Sequence, residues 1–223
     1  MNNTFYNVVI LDKSGSMSSI RKQAIDGVNE TFGSIRSSQK KHPDMKQLVT
    51  LVAFCGCEQK VIYENTPIDE VKDITQNDYQ PCCMTPLYDT IGNVCSRLHN
   101  KVKGDATASV AVTIITDGYE NASREFSGKA IKALIEAYKE DGWMFAYIGA
   151  DHDVEAVAFS LAIDNHMSFD KTEEGTGIMF SKVSECMASF CDELSDAYDS
   201  CDCDDDEGYI EMKKRASKNF FSL

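Results

Sequence analysis

One short segment combines residue types that can bind a metal ion. Asp12, Ser14 and Ser16 alternate along the sequence DKSGSM, with Gly15 between the two serines. One carboxylate and two hydroxyls at alternate positions on a loop can present three hard oxygen ligands to one small cation. Mg²⁺ prefers octahedral oxygen coordination and keeps several waters, so a site with few carboxylates suits it better than it suits Ca²⁺. The segment therefore predicts a magnesium site, with Mn²⁺ or Ca²⁺ as substitutes.

Two other segments supply oxygens that complete such a site. Thr85 precedes a predicted helix, and Asp117 follows the strand-like run SVAVTIIT at 109–116. Asp12 likewise follows a short apolar run, FYNVVIL at 5–11. Ligands of parallel sheets bind outside the carboxyl ends of the strands. We therefore expect one edge of the sheet to bring together five metal ligands: Asp12, Ser14, Ser16, Thr85 and Asp117.

The elements that must position these residues alternate along the chain. Short apolar or alternating runs predict strands, and apolar residues spaced by three and four predict helices. The predicted strands are 5–11, 47–54, 59–64, 109–116, 143–148 and 167–169, with helices between most of them. The turn at 55–58 suits a hairpin, which makes 59–64 an antiparallel edge strand. The order predicts an α/β fold: a doubly wound, mostly parallel sheet with one antiparallel edge strand and helices on both faces.

The metal-binding pattern resembles the von Willebrand factor type A (vWA) domain, a Rossmann-like three-layer sandwich with a metal-ion-dependent adhesion site. That family has Asp-x-Ser-x-Ser in a first loop, Thr in a second and Asp in a third, and this chain matches all five positions. The segments VVILDKSGSM, MTPLYDTIG and TIITDGYEN are similar to the bacterial intracellular branch of the family. The resemblance implies a vWA domain over 1–171. Residues 172–223 are expected to form a C-terminal helix and an acidic tail, packed on that domain or appended to it.

The resemblance also implies protein binding rather than catalysis. In the family, the ion keeps an open coordination position that an Asp or Glu side chain of a protein partner fills. We therefore expect a metal-ion-dependent adhesion or scaffolding module. Asp89 and Glu120 lie close to the metal loops in sequence, and we expect them to be solvated caps rather than residues that tune metal affinity.

Two other interpretations remain open. A metal-dependent phosphoester hydrolase could use the same loops, but aspartyl-phosphate phosphatases need a second Asp two residues after the nucleophile, where this chain has Ser14. The sequence also has no phosphate-binding glycine motif and no Gly-x-Ser-x-Gly elbow. The remaining interpretation is a degenerate scaffold whose loops hold no metal.

The net charge of the chain limits the classes of molecule that it is expected to bind. The formal charge is −14, from 36 acidic and 22 basic residues. Nucleic-acid backbones and anionic membrane surfaces attract a basic face, so neither is an expected partner. From Val183 onward, 11 acidic residues stand against 4 basic ones, and the run 192–207 has no Lys or Arg. We expect that run to be solvated and flexible.

The cysteine pattern favours a reducing compartment. The sequence shows neither a secretory-signal pattern nor a membrane-spanning run, so we expect a cytoplasmic location and reduced thiols for its 9 cysteines. Cys55 and Cys57 form a CxC pair, and Cys82 and Cys83 form a CC pair. Without partnering histidines, these pairs are a weak indication of zinc, and small buried hydrophobic side chains are their expected role. The sequence leaves the oligomeric state open.

Overall fold

A six-stranded sheet forms the centre of the computed structural model, which describes residues 3–200, 206–218 and 220–221. The strands are β1 (Asn3–Asp12), β2 (Met45–Cys55), β3 (Glu58–Pro67), β4 (Ala108–Thr116), β5 (Met144–Gly149) and β6 (Asn165–Ser168). Their order in the sheet is β3-β2-β1-β4-β5-β6. β3 is antiparallel to β2, and the other neighbouring pairs are parallel. The predicted α/β fold, mostly parallel with one antiparallel edge strand, is confirmed.

Helices cover both faces of the sheet. They are α1 (Arg21–Lys41), α2 (Leu87–Val102), α3 (Gly128–Glu140), α4 (Val154–Ser160), α5 (Glu173–Ser200) and α6 (Asp206–Ser217). Helices α1 and α5 share a hydrophobic core with one face, and α2, α3 and α4 share a second core with the other. The protein is therefore a three-layer α/β sandwich. Among the described residues, no helix has both the length and the apolar character that a membrane crossing requires.

The carboxyl ends of the central strands lie side by side along one edge of the sheet. β1 and β4 are buried along most of their length because each has a strand on either side and helices on both faces. In the register of the sheet, Asp12 lies opposite Phe54 of β2, and Leu11 lies opposite Ile115 of β4. The loops that follow β1, β2 and β4 consequently meet at this edge.

The prediction of a solvated, flexible run over 192–207 is wrong for its first part, which belongs to helix α5. The carboxylate oxygens of Asp192 lie 2.6 Å from Lys41 Nζ and 2.6 Å from His42 Nε2. On the other face of the same helix, Leu194 is fully buried in the core. The charge pattern misled because one apolar face is enough to hold a helix whose other face is acidic. Residues 201–205 lie outside the described residues.

Helix α5 approaches α1 so closely that one position of α1 must be glycine. A Cβ atom placed on Gly27 would lie 2.1 Å from two ring carbons of Phe180 on α5. Phe180 is itself buried in the core that α1, α5 and the sheet share. In contrast, a Cβ atom on Gly33 of the same helix would meet no atom within 4 Å.

These two glycines give a matched test of the packing between α1 and α5. Gly27→Ala forces Phe180 to move, and overpacking of this kind lowers the free energy of unfolding by about 1–3 kcal/mol. Gly33→Ala meets no neighbour, so the better helix propensity of alanine should raise stability by about 1 kcal/mol. Urea unfolding followed by circular dichroism measures both changes. Equal stabilisation by the two substitutions would contradict the described packing.

Candidate metal site

The first loop of the site begins at Asp12, whose side chain is fully buried at the end of β1. The amide of Ser14 donates a hydrogen bond to Asp12 Oδ1 at 2.6 Å. Thr116, the last residue of the neighbouring strand β4, donates from Oγ1 to Asp12 Oδ2 at 2.6 Å. Each carboxylate oxygen therefore has one fixed donor, and these donors set the orientation of the group.

The serine hydroxyls connect the first loop to the third. A 3₁₀ helix over Gly15–Ile20 follows Ser14, and the Oγ atoms of Ser14 and Ser16 lie 3.0 Å apart. Ser16 Oγ donates in turn to Oδ1 of the buried Asp117 at 2.6 Å. The structure thus brings four of the five predicted ligands together in one chain of hydrogen bonds.

Thr85, the fifth predicted ligand, is buried and is placed by its backbone. Its amide donates to Oδ1 of Asn121 at 2.8 Å, and the amide of Asn121 donates to the Thr85 carbonyl at 3.1 Å. The second loop also touches the first, because the amide of Gly15 donates to the Cys83 carbonyl at 3.0 Å. Asn121 was not selected from the sequence. It holds the second loop against the third.

A lysine that the sequence analysis did not select lies at the site. Lys171 Nζ lies 2.5 Å from Asp117 Oδ2 and 3.4 Å from Asp151 Oδ2, and the lysine side chain is 16% exposed. Burial alone lowers the pKa of Lys171, but hydrogen bonds and charge interactions with the two aspartates outweigh this effect, and the pKa is raised. Lys171 follows β6 and Asp151 follows β5, so the rule about strand ends that selected Asp117 also points to them.

Burial at the end of β1 changes the pKa of Asp12. Burial raises the pKa of Asp12 from 3.8 to about 6, because the hydrogen bonds from Thr116 and Ser14 only partly offset the lost solvation and the charge of Asp117 adds repulsion. A divalent ion would favour the ionised carboxylate. Two buried carboxylates with three hydroxyl side chains on touching loops are a donor set that fits a small, hard ion such as Mg²⁺ or Mn²⁺.

Tyr79 holds the backbone of the first loop at Asp12. The sequence analysis did not select this residue. Its hydroxyl donates to the carbonyl oxygen of Asp12 at 2.6 Å, and its side chain is fully buried. Burial holds the pKa of Tyr79 well above its usual value, so the hydroxyl stays a donor. Arg21 Nε donates to the Tyr79 carbonyl at 2.9 Å and ties this segment to the start of α1. No local pattern marks Tyr79, because its partner is 67 residues away.

The expectation that Asp89 and Glu120 are solvated caps is wrong for Asp89, which is buried at the first turn of α2. Its carboxylate accepts hydrogen bonds from three successive amides at 124–126, at 2.8–2.9 Å. Glu120 reciprocates by accepting from the Tyr88 amide at 2.9 Å. The two carboxylates therefore join α2 to the third loop.

Two exposed apolar side chains flank the metal loops. Met84, next to Thr85, is 54% exposed, and Tyr119, two residues after Asp117, is 55% exposed. Single exposed apolar side chains are common on protein surfaces, and these two are notable only for their place beside the metal loops. The rim of the site thus offers apolar contact area beside the polar centre.

The fold and the position of the site define the class of structure to which the chain is similar. The order of strands, the antiparallel edge and the helices on both faces are those of vWA domains. No protein-family model matches the chain, and no curated protein matches it in sequence. The likeness is therefore one of three-dimensional structure.

Three solved structures illustrate this likeness. The vWF domain of the type V pili tip protein Mfa5 from Porphyromonas gingivalis is 10% identical, with a TM-score of 0.55 over 84% of this chain and 96% of that one. Manganese-loaded TRAP protein from Plasmodium vivax is 16% identical, with a TM-score of 0.51 over 80% and 74%. Proximal thread matrix protein 1 from the mussel byssus is 11% identical, with a TM-score of 0.55 over 83% of this chain, which spans only 46% of that protein.

The raised pKa of Asp12 predicts how the stability of the metal-free protein depends on pH. The folded state holds the proton up to about pH 6, whereas the unfolded chain loses it near 3.8, so stability falls as pH rises through this window. Asp12→Asn removes the titration and keeps an oxygen to accept from Ser14. In EDTA, wild type should lose about 1 kcal/mol more than the variant between about pH 5 and pH 7.5. Urea unfolding at the two pH values measures this difference, and parallel pH profiles would contradict it.

Lys171 predicts a competition between its ammonium group and a metal ion. Lys171→Met leaves Asp117 without its charge partner, so the site should bind Mn²⁺ about tenfold more tightly, a gain of about 1.4 kcal/mol. The matched control is Lys22→Met, which removes the same charge from an exposed position paired with Asp26 on α1. The electron paramagnetic resonance signal of free Mn²⁺ measures both affinities. Unchanged or weaker binding in Lys171→Met would show that the ammonium group does not compete.

Proposed function

We propose that this chain is a metal-ion-dependent protein-binding module. In this proposal, Asp12, Ser14, Ser16, Thr85 and Asp117 hold one Mg²⁺ ion, and an Asp or Glu side chain of a protein partner completes its coordination. The observation that carries the proposal is the meeting of two buried carboxylates and the serine hydroxyls at the carboxyl ends of β1 and β4. When bound, the ion supplies an electrophilic position that attracts an anionic oxygen.

The residues of the chain each have a defined part in this function. Thr116 and the Ser14 amide hold Asp12 in one orientation, and Asn121 holds the second loop against the third. Lys171 neutralises Asp117 until the ion arrives, which keeps two buried carboxylates from facing each other without a counter-charge. Met84 and Tyr119 add apolar contact area for the partner.

The structural neighbours support a role in protein binding rather than catalysis. They include a pili tip protein and a pilus adhesin, and one neighbour was solved with manganese bound. The seven described cysteines for which a state is assigned are free thiols, which is compatible with the proposed cytoplasmic location. A cytoplasmic protein of this fold would use the site to hold another protein in a complex.

The proposal is tested by capture of partners with the immobilised full chain. Proteins retained from a lysate in Mg²⁺ should be released by EDTA, because chelation removes the link to the carboxylate of the partner. Asp12→Ala should lose the same proteins, whereas Asp26→Ala on the exposed face of α1 should keep them. Chemical blocking of carboxylates on the retained proteins should abolish rebinding. Capture of the same proteins by Asp12→Ala in EDTA would refute the proposed role of the ion.

The same preparations separate the two remaining interpretations. A phosphoester hydrolase would turn over a generic phosphomonoester in Mg²⁺ faster than Asp12→Ala does. We expect equal background rates, because Ser14 stands where a general acid is needed. A scaffold without metal would show no change in melting temperature in millimolar Mg²⁺ or Mn²⁺.

A further inference from the structure

Four cysteines from two distant segments converge beside the metal loops. Cys55 ends β2 and Cys57 follows it in the β2–β3 turn, whereas Cys82 and Cys83 lie in the loop before α2. The Sγ atoms of Cys55 and Cys82 are 3.2 Å apart, and those of Cys57 and Cys83 are 2.6 Å apart. The Sγ atoms of Cys55, Cys57 and Cys82 all lie within 4.8 Å of one another. In the part of the chain that the structure describes, this is the one group of three or more His, Cys, Asp or Glu side chains with ligand atoms so close together.

The backbone holds the two segments in place independently of the thiols. The amide of Gly56 donates to the Met84 carbonyl at 2.8 Å, and the amide of Cys82 donates to the Lys13 carbonyl at 2.8 Å. A Cβ atom on Gly56 would lie 3.3 Å from the amide nitrogen of Met84, so glycine allows this close approach. Cys83 has a φ of 61°, a left-handed conformation that non-glycine residues seldom adopt. The four side chains are therefore gathered by a fixed backbone.

The expected role of these cysteines as small buried hydrophobic side chains is wrong for Cys57 and Cys83, which are exposed. Cys55 is buried and Cys82 is half-buried, so the cluster runs from the core to the surface. Apolar packing does not explain two exposed thiols in contact. Metal binding explains both observations. Thiolates that bind one ion must lie close together, and they can do so on a surface turn without packing into the core.

We propose that Cys55, Cys57, Cys82 and Cys83 bind one Zn²⁺ ion in a tetrathiolate site. Zinc prefers four tetrahedral sulfur ligands at about 2.3 Å, which puts the sulfur atoms about 3.8 Å from one another. To take the ion between them, the Cys55–Cys82 pair needs to open by about 0.6 Å and the Cys57–Cys83 pair by about 1.2 Å. Two residues from a tight turn and two from a facing loop are an arrangement that suits a structural zinc site.

The site has a definite consequence for the second metal loop. Cys82 and Cys83 lie three and two residues before Thr85, and Cys55 ends the strand β2 of the sheet. A zinc ion would therefore anchor the loop of Thr85 to the end of β2. Lys13 lies beside the same turn, where its buried side chain pairs with Glu58. This proposal stands on the cysteines alone and does not depend on the magnesium site.

Two disulfides, Cys55 with Cys82 and Cys57 with Cys83, are the competing outcome for the same geometry. The structure favours the metal because Cys57 Sγ lies within 4.8 Å of the Sγ atoms of both Cys55 and Cys82, so these three thiols form one group that two separate pairs do not explain. Disulfide formation would also need an oxidant that a reducing compartment does not supply.

The test measures zinc in the full chain after purification with a thiol-free phosphine reductant. We expect about one Zn²⁺ per chain by elemental mass spectrometry, and visible absorption of tetrahedral thiolate Co²⁺ after exchange. Cys57→Ser and Cys83→Ser change exposed residues, so these variants should fold, as circular dichroism can check, and each should lose the bound zinc. The matched control is Cys201→Ser with Cys203→Ser, which alters a second CxC pair and should keep it.

Several results would contradict the proposed zinc site. Zinc well below one per chain, or zinc retained by both single variants, would overturn the proposal, as would a mass showing two disulfides in protein purified without reductant from reducing cytoplasm. Asp12→Ala separates the two sites, because it should keep zinc while it loses the Mn²⁺ signal. Loss of zinc with intact Mn²⁺ binding would leave the proposed function standing on its own.

Discussion

The burial of Asp12 is the constraint on which the edge of the sheet depends. A carboxylate at the end of a central strand has no access to water, so its charge must be met by donors and cations that the fold supplies. The Ser14 amide and Thr116 provide the donors, and Tyr79 fixes the carbonyl of the same residue. These contacts still leave the ionised form destabilised. The hydrogen bonds around Asp12 fix its orientation without making up for the solvation that it loses on burial.

Lys171 is the charge partner of one of the proposed metal ligands. In the structure its ammonium group occupies one side of Asp117, while Ser16 bonds to the other oxygen. The charge of Asp117 is therefore neutralised by Lys171, which follows the edge strand β6. Under the proposed function, an ion between Asp12 and Asp117 would have to displace this lysine or share the carboxylate with it. Its affinity would then depend on the β6 end as well as on the three metal loops.

The sequence predicts the strands and helices better than it predicts contacts between residues far apart in the chain. The strands and helices follow from clean apolar periodicities, and α2 begins and ends where the spacing of its apolar residues places it. The ligand loops follow from topology, because parallel strands end at one edge. Tyr79 and Lys171 were missed because their roles depend on partners far away in the chain. Asp192 was misjudged because the charge of the acidic run was given more weight than the helix expected after residue 171. No spacing in the sequence reveals the left-handed backbone conformation of Cys83 or its exposure.

The reciprocal hydrogen bonds between α2 and the third loop have a mechanical consequence. Asp89 holds the amides at 124–126, and Glu120 holds the first turn of α2, so the helix and the loop are tied together at two points. Thr85 and Asp117 sit at the two margins of these tied segments. Any displacement of the third loop would therefore pull on the first turn of α2, a helix about 24 Å long whose other end lies on the far side of the sandwich.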